Sequence, residues 1–270
     1  MDQFSTPAWD DVLNDRLLTR RRRDRDQRAE VRNRVAVLKA QSGCDRFPTD
    51  VPALARAVGI RDVRCLPLAM RGRIIHEASG IIAELDETLS PRAQRFVLAH
   101  EIGHILLARD LANAGPRTIF GSTKSQTSYR YVEQLCDYVA REILVPENAV
   151  RKELKSRSPS LETAVAIAEE ADCDLQVVAQ CICDLPGQRD VIFMFCRPSA
   201  DGADVIAVVP ASSKQYEVAA SSDTLLRRAV QSESALSGKQ ELWIDGKRTV
   251  VEAQAVRLDF GDVAMLIKRP

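Results

Sequence analysis

The sequence predicts an α+β fold, in which helices and strands occupy separate stretches of the chain. Residues 16–39 and 129–144 contain neither Gly nor Pro and have the composition and apolar spacing of long helices. Residues 61–85 contain short runs rich in Ile, Val and Leu separated by turns, which predicts a small sheet. From Asp190 to the last residue, alternating Val and Ile segments predict a mostly β region.

Composition limits the class of protein. The chain has 270 residues, of which 45% are hydrophobic and 28% charged, values typical of a soluble globular protein with room for more than one domain. Its apolar runs are short, and VIFMFC at residues 191–196 is far below the length that spans a bilayer. The N-terminal residues do not resemble a secretory signal, and seven irregularly spaced cysteines indicate reduced thiols. We therefore expect a cytoplasmic protein without membrane contact.

A basic helix dominates the first predicted segment, residues 1–46. Residues 16–39 hold ten Lys or Arg against three acidic residues, although the chain as a whole has no net charge. This helix could contact nucleic acid or an acidic partner. Alternatively, it is a solvated helix that packs on the domain through an apolar seam of Val31, Val35 and Leu38. We favour packing, because the segment lacks the internal turn of a helix-turn-helix module.

Residues 47–146 are predicted to form one domain around two long helices. Ser90 and Pro91 make a favourable start for the first, with Ser as N-cap and Pro in the first turn. This helix is expected to end at about Ala108. A loop rich in Gly, Ser, Thr and Asn (112–128) then leads into the second helix.

Residues 96–108 read FVLAHEIGHILLA and hold two of the chain's three histidines. Side chains four residues apart project from the same face of a helix, so His100 and His104 direct two imidazoles at one point. That spacing suits a single metal ion, and Glu101 is placed to act as a base on water beside the metal without ligating it. Lone histidines on apolar faces are usually hydrogen-bonded core residues, but a pair with this Glu predicts a metal site.

A catalytic zinc needs a third protein ligand. Glu133 on the second long helix is the best candidate, and Asp137 lies one turn further along the same face. An acid at that position can accept the free N–H of a ligating histidine and fix its ring. The alternative is that both are ordinary surface acids, but like charges at this spacing repel unless a cation lies near them. His76, in the strand region, is a weaker candidate for a ligand.

Two runs of the sequence resemble the motifs of the ImmA/IrrE family of metallopeptidases. RFVLAHEIGHILLA (95–108) matches the family's R-F-x-x-A-H-E-x-G-H-x-L-L helix, and EQLCDYVAREILVP (133–146) matches its E-x-x-A-N-x-F-A-x-x-L-L-M-P helix. Two departures occur in the second motif, where Cys136-Asp137 replaces the usual Ala-Asn and Val139 replaces the common Phe. We interpret Cys136 as a small buried residue and not as a fourth ligand.

The resemblance, which covers about residues 47–185, implies a zincin-like catalytic core. In that core, zinc (Zn2+) is bound by His100, His104 and Glu133, and Glu101 is the general base. Asp137 keeps a hydrogen-bonding group behind these ligands. The residue that stabilises the oxyanion is not specified by the sequence, and its candidates are Tyr129, Tyr131 and Tyr138.

Residues 147–187 are predicted to be helical and to include a helix-turn-helix-like pair at 161–185. Such a pair could contact substrate or DNA, or could be a structural cap over the active site. We favour a cap, because acidic residues outnumber basic ones here. Cys181 and Cys183 are better explained by helical burial than by a second metal site, since they lack a matching pair of ligands.

Residues 188–270 are predicted to form a mostly β domain with one helix near 222–231 and no catalytic signature. The turn Asp245-Gly246 has the composition of a tight hairpin. Some members of the family carry a GAF-like sensor domain after the peptidase core, and this region is compatible with one. We expect it to sense a ligand or to dock a partner.

Three functions follow as hypotheses. The resemblance implies a zinc-dependent endopeptidase of narrow specificity that cleaves a helix-turn-helix transcriptional repressor and relieves repression under stress. A non-cutting antirepressor that keeps the metal site would be favoured by loss of Glu101, which is present. A DNA-binding regulator would use the arginine helix, and its DNA affinity would depend on salt and on residues 16–39.

Overall fold

The computed structural model describes nine stretches of the chain: 9–113, 126–156, 159–188, 190–199, 202–210, 216–218, 225–232, 234–258 and 262–268. The chain divides into two compact units, Met1–Ile143 and Leu144–Pro270. Helices and strands are segregated as the sequence predicts, so the α+β class is confirmed. Among these described residues, no helix is long and apolar enough to cross a membrane. The division into four segments stays a prediction.

The first unit begins with helix α1 (Trp9–Gln41), which forms the single long helix expected for the basic segment. Val31, Val35 and Leu38 are all buried, so the predicted apolar seam packs on the unit. At the end of this seam, the buried Lys39 donates hydrogen bonds to Thr49 Oγ1 at 3.0 Å and to the carbonyl oxygen of Ile143 at 3.1 Å. The side chains of Arg20 to Arg23 lie outside the described residues.

A short helix and a small sheet follow. Helix α2 (Val51–Ala57) is capped by the side chain of Asp50, and strands β1 (Ile60–Leu66), β2 (Gly72–Glu77) and β3 (Gly80–Asp86) come next. The strand order is β1-β3-β2, with β1 parallel and β2 antiparallel to β3. Among the described residues, β2 is therefore an edge strand.

The two long helices of the first unit are α3 (Pro91–Asn113) and α4 (Gln126–Leu144). The Ser90 hydroxyl accepts a hydrogen bond from the Ala93 N–H at 3.2 Å, which confirms the predicted N-cap. Helix α3 continues past the expected end near Ala108, because residues 109–113 contain no Gly or Pro that would end it. Most of the predicted Gly-, Ser- and Thr-rich loop, residues 114–125, lies outside the described residues.

The second unit starts with three helices, α5 (Glu147–Ser156), α6 (Leu161–Glu170) and α7 (Leu175–Asp184). The short turn between α6 and α7 agrees with the predicted pair, and Asp172 has a positive φ of 47° there. The pair and its turn, residues 161–185, contain acidic residues but no Lys or Arg. An acidic surface of this kind repels the phosphate backbone, which argues against DNA contact through α6 and α7.

The rest of the second unit is mostly β, as predicted. Its described residues form six strands and the short helix α8: β4 (Val191–Ser199), β5 (Gly202–Val209), β6 (Tyr216–Val218), α8 (Leu225–Val230), β7 (Leu236–Ile244), β8 (Lys247–Arg257) and β9 (Val263–Lys268). The strands close into a barrel in chain order, with β9 paired to β4. Leu225 and Leu226 of α8 belong to the same buried apolar cluster as the barrel strands. The GAF-like assignment stays a prediction.

Candidate metal centre

Helix α3 brings the two histidines of its motif together. His100 Nε2 and His104 Nε2 are 3.1 Å apart, and their ring planes are inclined by 68°. This convergence follows from one helical turn between them, since side chains at i and i+4 lie on the same face. Both rings are partly buried.

Helix α4 adds a carboxylate to the pair. Glu133 Oε2 lies 3.3 Å from His100 Nε2, and Glu133 Oε1 lies 3.6 Å from His104 Nε2. Glu133 Oε1 is buried and has no hydrogen-bond partner among the described residues. A buried carboxylate oxygen without a donor is costly unless a cation compensates it. The structure thus brings together the three residues that the sequence predicts as ligands.

The spacing of these atoms fits zinc. Ligands held at zinc's usual bond lengths of about 2.0–2.1 Å are separated by about 3.3 Å in a tetrahedron. The three distances above, from 3.1 to 3.6 Å, lie around that value. Two imidazole nitrogens and one carboxylate also form the ligand set that leaves a fourth position open in catalytic zinc sites.

Gly103 explains how α4 can come so close to α3. A Cβ at Gly103 would lie 3.0 Å from the Cα of Cys136 and 3.2 Å from the Cβ of Val139. Backbone and stiff β-branched atoms yield with difficulty, so a Cβ at Gly103 would force the two helices apart by a few tenths of an ångström. The close approach brings Glu133 within reach of the histidines.

Cys136 lies beside the centre and completes a cluster whose potential ligand atoms, with those of His100 and His104, all lie within 4.8 Å of one another. Its thiol is fully buried. Burial, with the negative charges of Glu133, Asp137 and Glu101, raises the pKa of the thiol well above its usual range. Glu133 is the better third ligand, because its carboxylate oxygens lie 3.3 and 3.6 Å from the two histidine nitrogens and its Oε1 has no hydrogen-bond partner among the described residues.

Asp137 takes the position predicted for it behind His100. Its Oδ1 lies 2.9 Å from His100 Nδ1, which leaves Nε2 facing Glu133. Burial alone would lower the pKa of His100, but the hydrogen bond and charge of Asp137, with Glu101 and Glu133, outweigh it and raise the pKa. The contact fixes the ring orientation, as carboxylates do for ligating histidines.

Glu101 is the remaining acid of the centre and is only 5% exposed. Among the described residues, its side chain makes no hydrogen bond or ion pair. Burial raises its pKa to about 7, an effect that His100 opposes and Glu133 reinforces. A carboxyl group with a pKa near neutrality is suited to take up and release a proton.

The centre opens into a groove of about 960 Å³ between β2, α3 and α4. Its walls are largely apolar, with Ile74, Phe96 and Val97 among the lining residues. His76 also lines this groove, but its nitrogen atoms do not join the cluster of potential ligand atoms in the described part of the chain.

Sequence reasoning missed Arg71 and Gly72, which line the groove at the start of β2. A glycine in a strand can mark a close approach of another element, so a signal for Gly72 was present. Two of the three candidate oxyanion residues, Tyr131 and Tyr138, do not line this groove. Tyr138 accepts a hydrogen bond from Arg32 of α1 at 3.0 Å, and Tyr131 donates one to Gln27. The side chain of Tyr129 lies outside the described residues.

Comparisons with known proteins agree with the motifs. The family profile of the IrrE N-terminal-like domain, a peptidase family, matches residues 55–181. The "Radiation response metalloprotease IrrE" of Deinococcus radiodurans is 26% identical over 179 residues, which make up 65% of this chain and 53% of that protein. The chain thus spans about half the length of this relative. A solved "Mycobacterium tuberculosis transcriptional regulator" is 15% identical, with a TM-score of 0.49, over 89% of this chain and 76% of that one.

Proposed function

We propose that the chain is a member of the ImmA/IrrE family of metallopeptidases, whose profile it matches over residues 55–181, and that it is a zinc-dependent endopeptidase of narrow specificity. Its substrate in this proposal is a helix-turn-helix transcriptional repressor in the cytoplasm, whose cleavage relieves repression. The observation that carries the proposal is the convergence of His100, His104 and Glu133 beside the buried Glu101.

The edge of β2 next to the centre pairs with no further strand among the described residues, which supports a peptide substrate. The N–H of Asp86 donates to the carbonyl oxygen of Arg71 at 2.9 Å, so Arg71 points its backbone groups towards β3. In an antiparallel pair, alternate residues point away from the partner strand. The backbone groups of Gly72, Ile74 and His76 therefore face the open edge, where an extended peptide can pair with them.

The proposed reaction is hydrolysis of a peptide bond. Zinc held by His100, His104 and Glu133 would supply Lewis acidity to the scissile carbonyl and to the attacking water. The Glu101 carboxylate takes the proton from that water as the new C–O bond forms, and returns it to the leaving nitrogen as the C–N bond breaks. Asp137 holds the His100 ring in place through Nδ1.

The repressor as substrate is supported by the resemblance to the family. The relative from Deinococcus radiodurans is named a radiation response metalloprotease, which places a member of this family in a stress response. Narrow specificity would come from contacts outside the small centre, since binding energy from distant parts of a substrate can be used to position the reacting bond.

Mass spectrometry tests this proposal directly. The purified zinc-loaded chain is mixed with the repressor encoded nearest to its gene, and the repressor is followed over time beside the Glu101→Gln variant. One internal cut that is absent with the variant is the expected result. An intact repressor that is nevertheless released from DNA by both proteins would contradict the peptidase and support the non-cutting antirepressor.

A further inference from the structure

Gly72 lies at the start of the edge strand β2, close to α3 in the lining of the groove. A Cβ at this position would lie 2.4 Å from Val97 Cγ1, 3.2 Å from the carbonyl oxygen of Glu84 and 3.3 Å from Glu101 Oε1. We propose that Gly72 is a positioning residue for the base. Because Gly72 has no side chain, β2 can lie directly over Glu101. The carboxylate then stays beneath the strand edge that receives the peptide. This inference rests on the proposed function, which gives Glu101 its role.

Glycine is required at position 72 because there is no room for a Cβ, and not because of the backbone conformation. Gly72 lies in regular strand backbone outside the left-handed region, whereas Gly59 and Gly80 have positive φ angles of 93° and 129°. At those two positions a side chain would strain the backbone. At Gly72 the backbone would accept any residue, but the surrounding atoms would not.

The three neighbours of Gly72 differ in how far they can yield. Val97 is 4% exposed and β-branched, so its methyl groups are held in one helical rotamer. The carbonyl oxygen of Glu84 belongs to the central strand β3, where the backbone is fixed by the ladder. Glu101 Oε1 is the end of a flexible side chain and makes no hydrogen bond among the described residues. The overlap with Val97 would therefore lift β2 from α3, while the Glu101 carboxylate would have to yield by only a few tenths of an ångström. Both movements shift the carboxylate relative to β2.

Either displacement changes the distance between the base and the bound peptide. The peptide would still pair with the outward backbone groups of Gly72, Ile74 and His76, so binding depends little on the Cβ. Proton transfer, in contrast, depends steeply on distance, and a misplacement of about 1 Å can cost about 100-fold in rate. The expected signature is a lower kcat at nearly constant KM.

The test compares Gly72→Ala, Val97→Ala and the double variant, all in the full chain. Each is checked for zinc content and thermal unfolding, and then assayed on a quenched peptide that spans the mapped cleavage site. We expect Gly72→Ala to keep its zinc and to lose about 10- to 100-fold in kcat. The double variant should recover most of this loss, because removal of the Val97 methyl groups makes room for the added Cβ. Gly238→Ala is the matched control, since a Cβ there meets its nearest atom at 3.7 Å.

A second measurement does not depend on cleavage. Acetohydroxamate binds zinc, and its hydroxyl can donate to Glu101, so its affinity for the zinc-loaded protein reports the position of the carboxylate. Calorimetry should show binding about 10-fold weaker in Gly72→Ala and restored in the double variant. If wild type cuts no peptide but the three proteins differ in acetohydroxamate affinity as expected, the proposed peptidase activity is contradicted. The proposed positioning of Glu101 by Gly72 is then still supported.

Three results would overturn the positioning role. The first is a kcat and an acetohydroxamate affinity in Gly72→Ala within about twofold of wild type. The second is a double variant that recovers neither quantity, because contact with Val97 would then not be the cause. The third is a Gly72→Ala protein that does not fold or does not hold zinc, which would give Gly72 a purely structural role.

Discussion

The two units of the chain bury different kinds of side chain. Among the described residues, the buried charged side chains all lie in the first unit, and they are Lys39, Glu84, Glu101 and Glu142. The buried polar side chains of the second unit are uncharged, Thr163 and Gln240, and the core of its barrel is apolar. A buried charge is costly without a partner. Among the described residues, the cost of burying charged side chains therefore falls on the first unit.

Within the first unit, the buried charged side chains differ in whether they have hydrogen-bond partners. Glu84 receives a hydrogen bond from Arg73 at 2.7 Å, and Lys39 donates to Thr49 and Ile143. Glu101 makes no such contact among the described residues, although it is as deeply buried as Lys39. An ionisable group left without a partner beside two histidines is therefore the strongest mark of function in this chain.

The largest expected effect is loss of the metal. His104→Ala or Glu133→Ala should remove most of the bound zinc and all activity, because each deletes one of the three proposed ligands. Metal analysis of the purified variants measures this. Cys136→Ala is the matched control and should keep its zinc. Zinc retained by Glu133→Ala but lost from Cys136→Ala would show that the thiol is the third ligand.

Removal of the base should separate binding from catalysis. Glu101→Gln keeps the size of the side chain but cannot accept the proton, so zinc content should be unchanged while kcat falls by about 100- to 10,000-fold. Zinc analysis and cleavage assays on the same preparation check both parts. A variant that cuts as fast as wild type would contradict the proposed role of Glu101.

Substitution of Asp137 should have a smaller effect on zinc binding and activity, because Asp137 contacts His100 Nδ1 and not the Nε2 atom proposed to bind the metal. Asp137→Ala should weaken zinc affinity or activity by about 10- to 100-fold, because the ring loses its hydrogen-bond partner. Asp137→Asn should lose less, since an amide oxygen can still accept from Nδ1. Competition with a chelator measures the affinities. Unchanged zinc affinity and cleavage rate in Asp137→Ala would mean that the contact with His100 contributes neither to metal binding nor to catalysis.

Local periodicity explains why part of this site could be predicted from the sequence. The convergence of His100 and His104 depends only on the helical repeat, and the placement of Asp137 one turn after Glu133 depends on the same repeat. That Glu133 reaches the histidines depends on the crossing at Gly103, for which the sequence offers only the glycine itself.

Non-local packing explains what the sequence could not show. The contact of Gly72 with Val97 and Glu101 arises between a strand and a helix that are separate in the chain, and no repeat encodes it. The same holds for Tyr138, which looks like a site residue in the second motif but bonds to Arg32 of α1. In the second unit, alternation predicted strands, whereas closure into a barrel depends on pairing of β4 with β9.

The smallest expected effect concerns Lys39, a buried charge with structural partners only. Its hydrogen bonds to Ile143 and Thr49 satisfy the carboxyl end of α4, so Lys39→Met loses two hydrogen bonds but also removes the cost of a buried ammonium. We expect the free energy of unfolding at neutral pH to change by no more than about 1 kcal/mol. Zinc content should not change, because Glu133 lies ten residues before Ile143 in α4, about 15 Å along the helix.

The pH dependence of the same variant tests whether the charge is buried as described. Burial lowers the pKa of Lys39 below its usual 10.5, an effect that Asp45 and Glu142 oppose. Between the lowered folded pKa and 10.5, the unfolded chain binds the proton more tightly, so the stability of the folded wild type rises with pH in that window. Denaturant unfolding at several alkaline pH values should show this rise in wild type relative to Lys39→Met. Parallel curves for the two proteins would mean that the pKa of Lys39 is the same in the folded and unfolded chains, and the contrast between structural and functional charges would then rest on Glu101 alone.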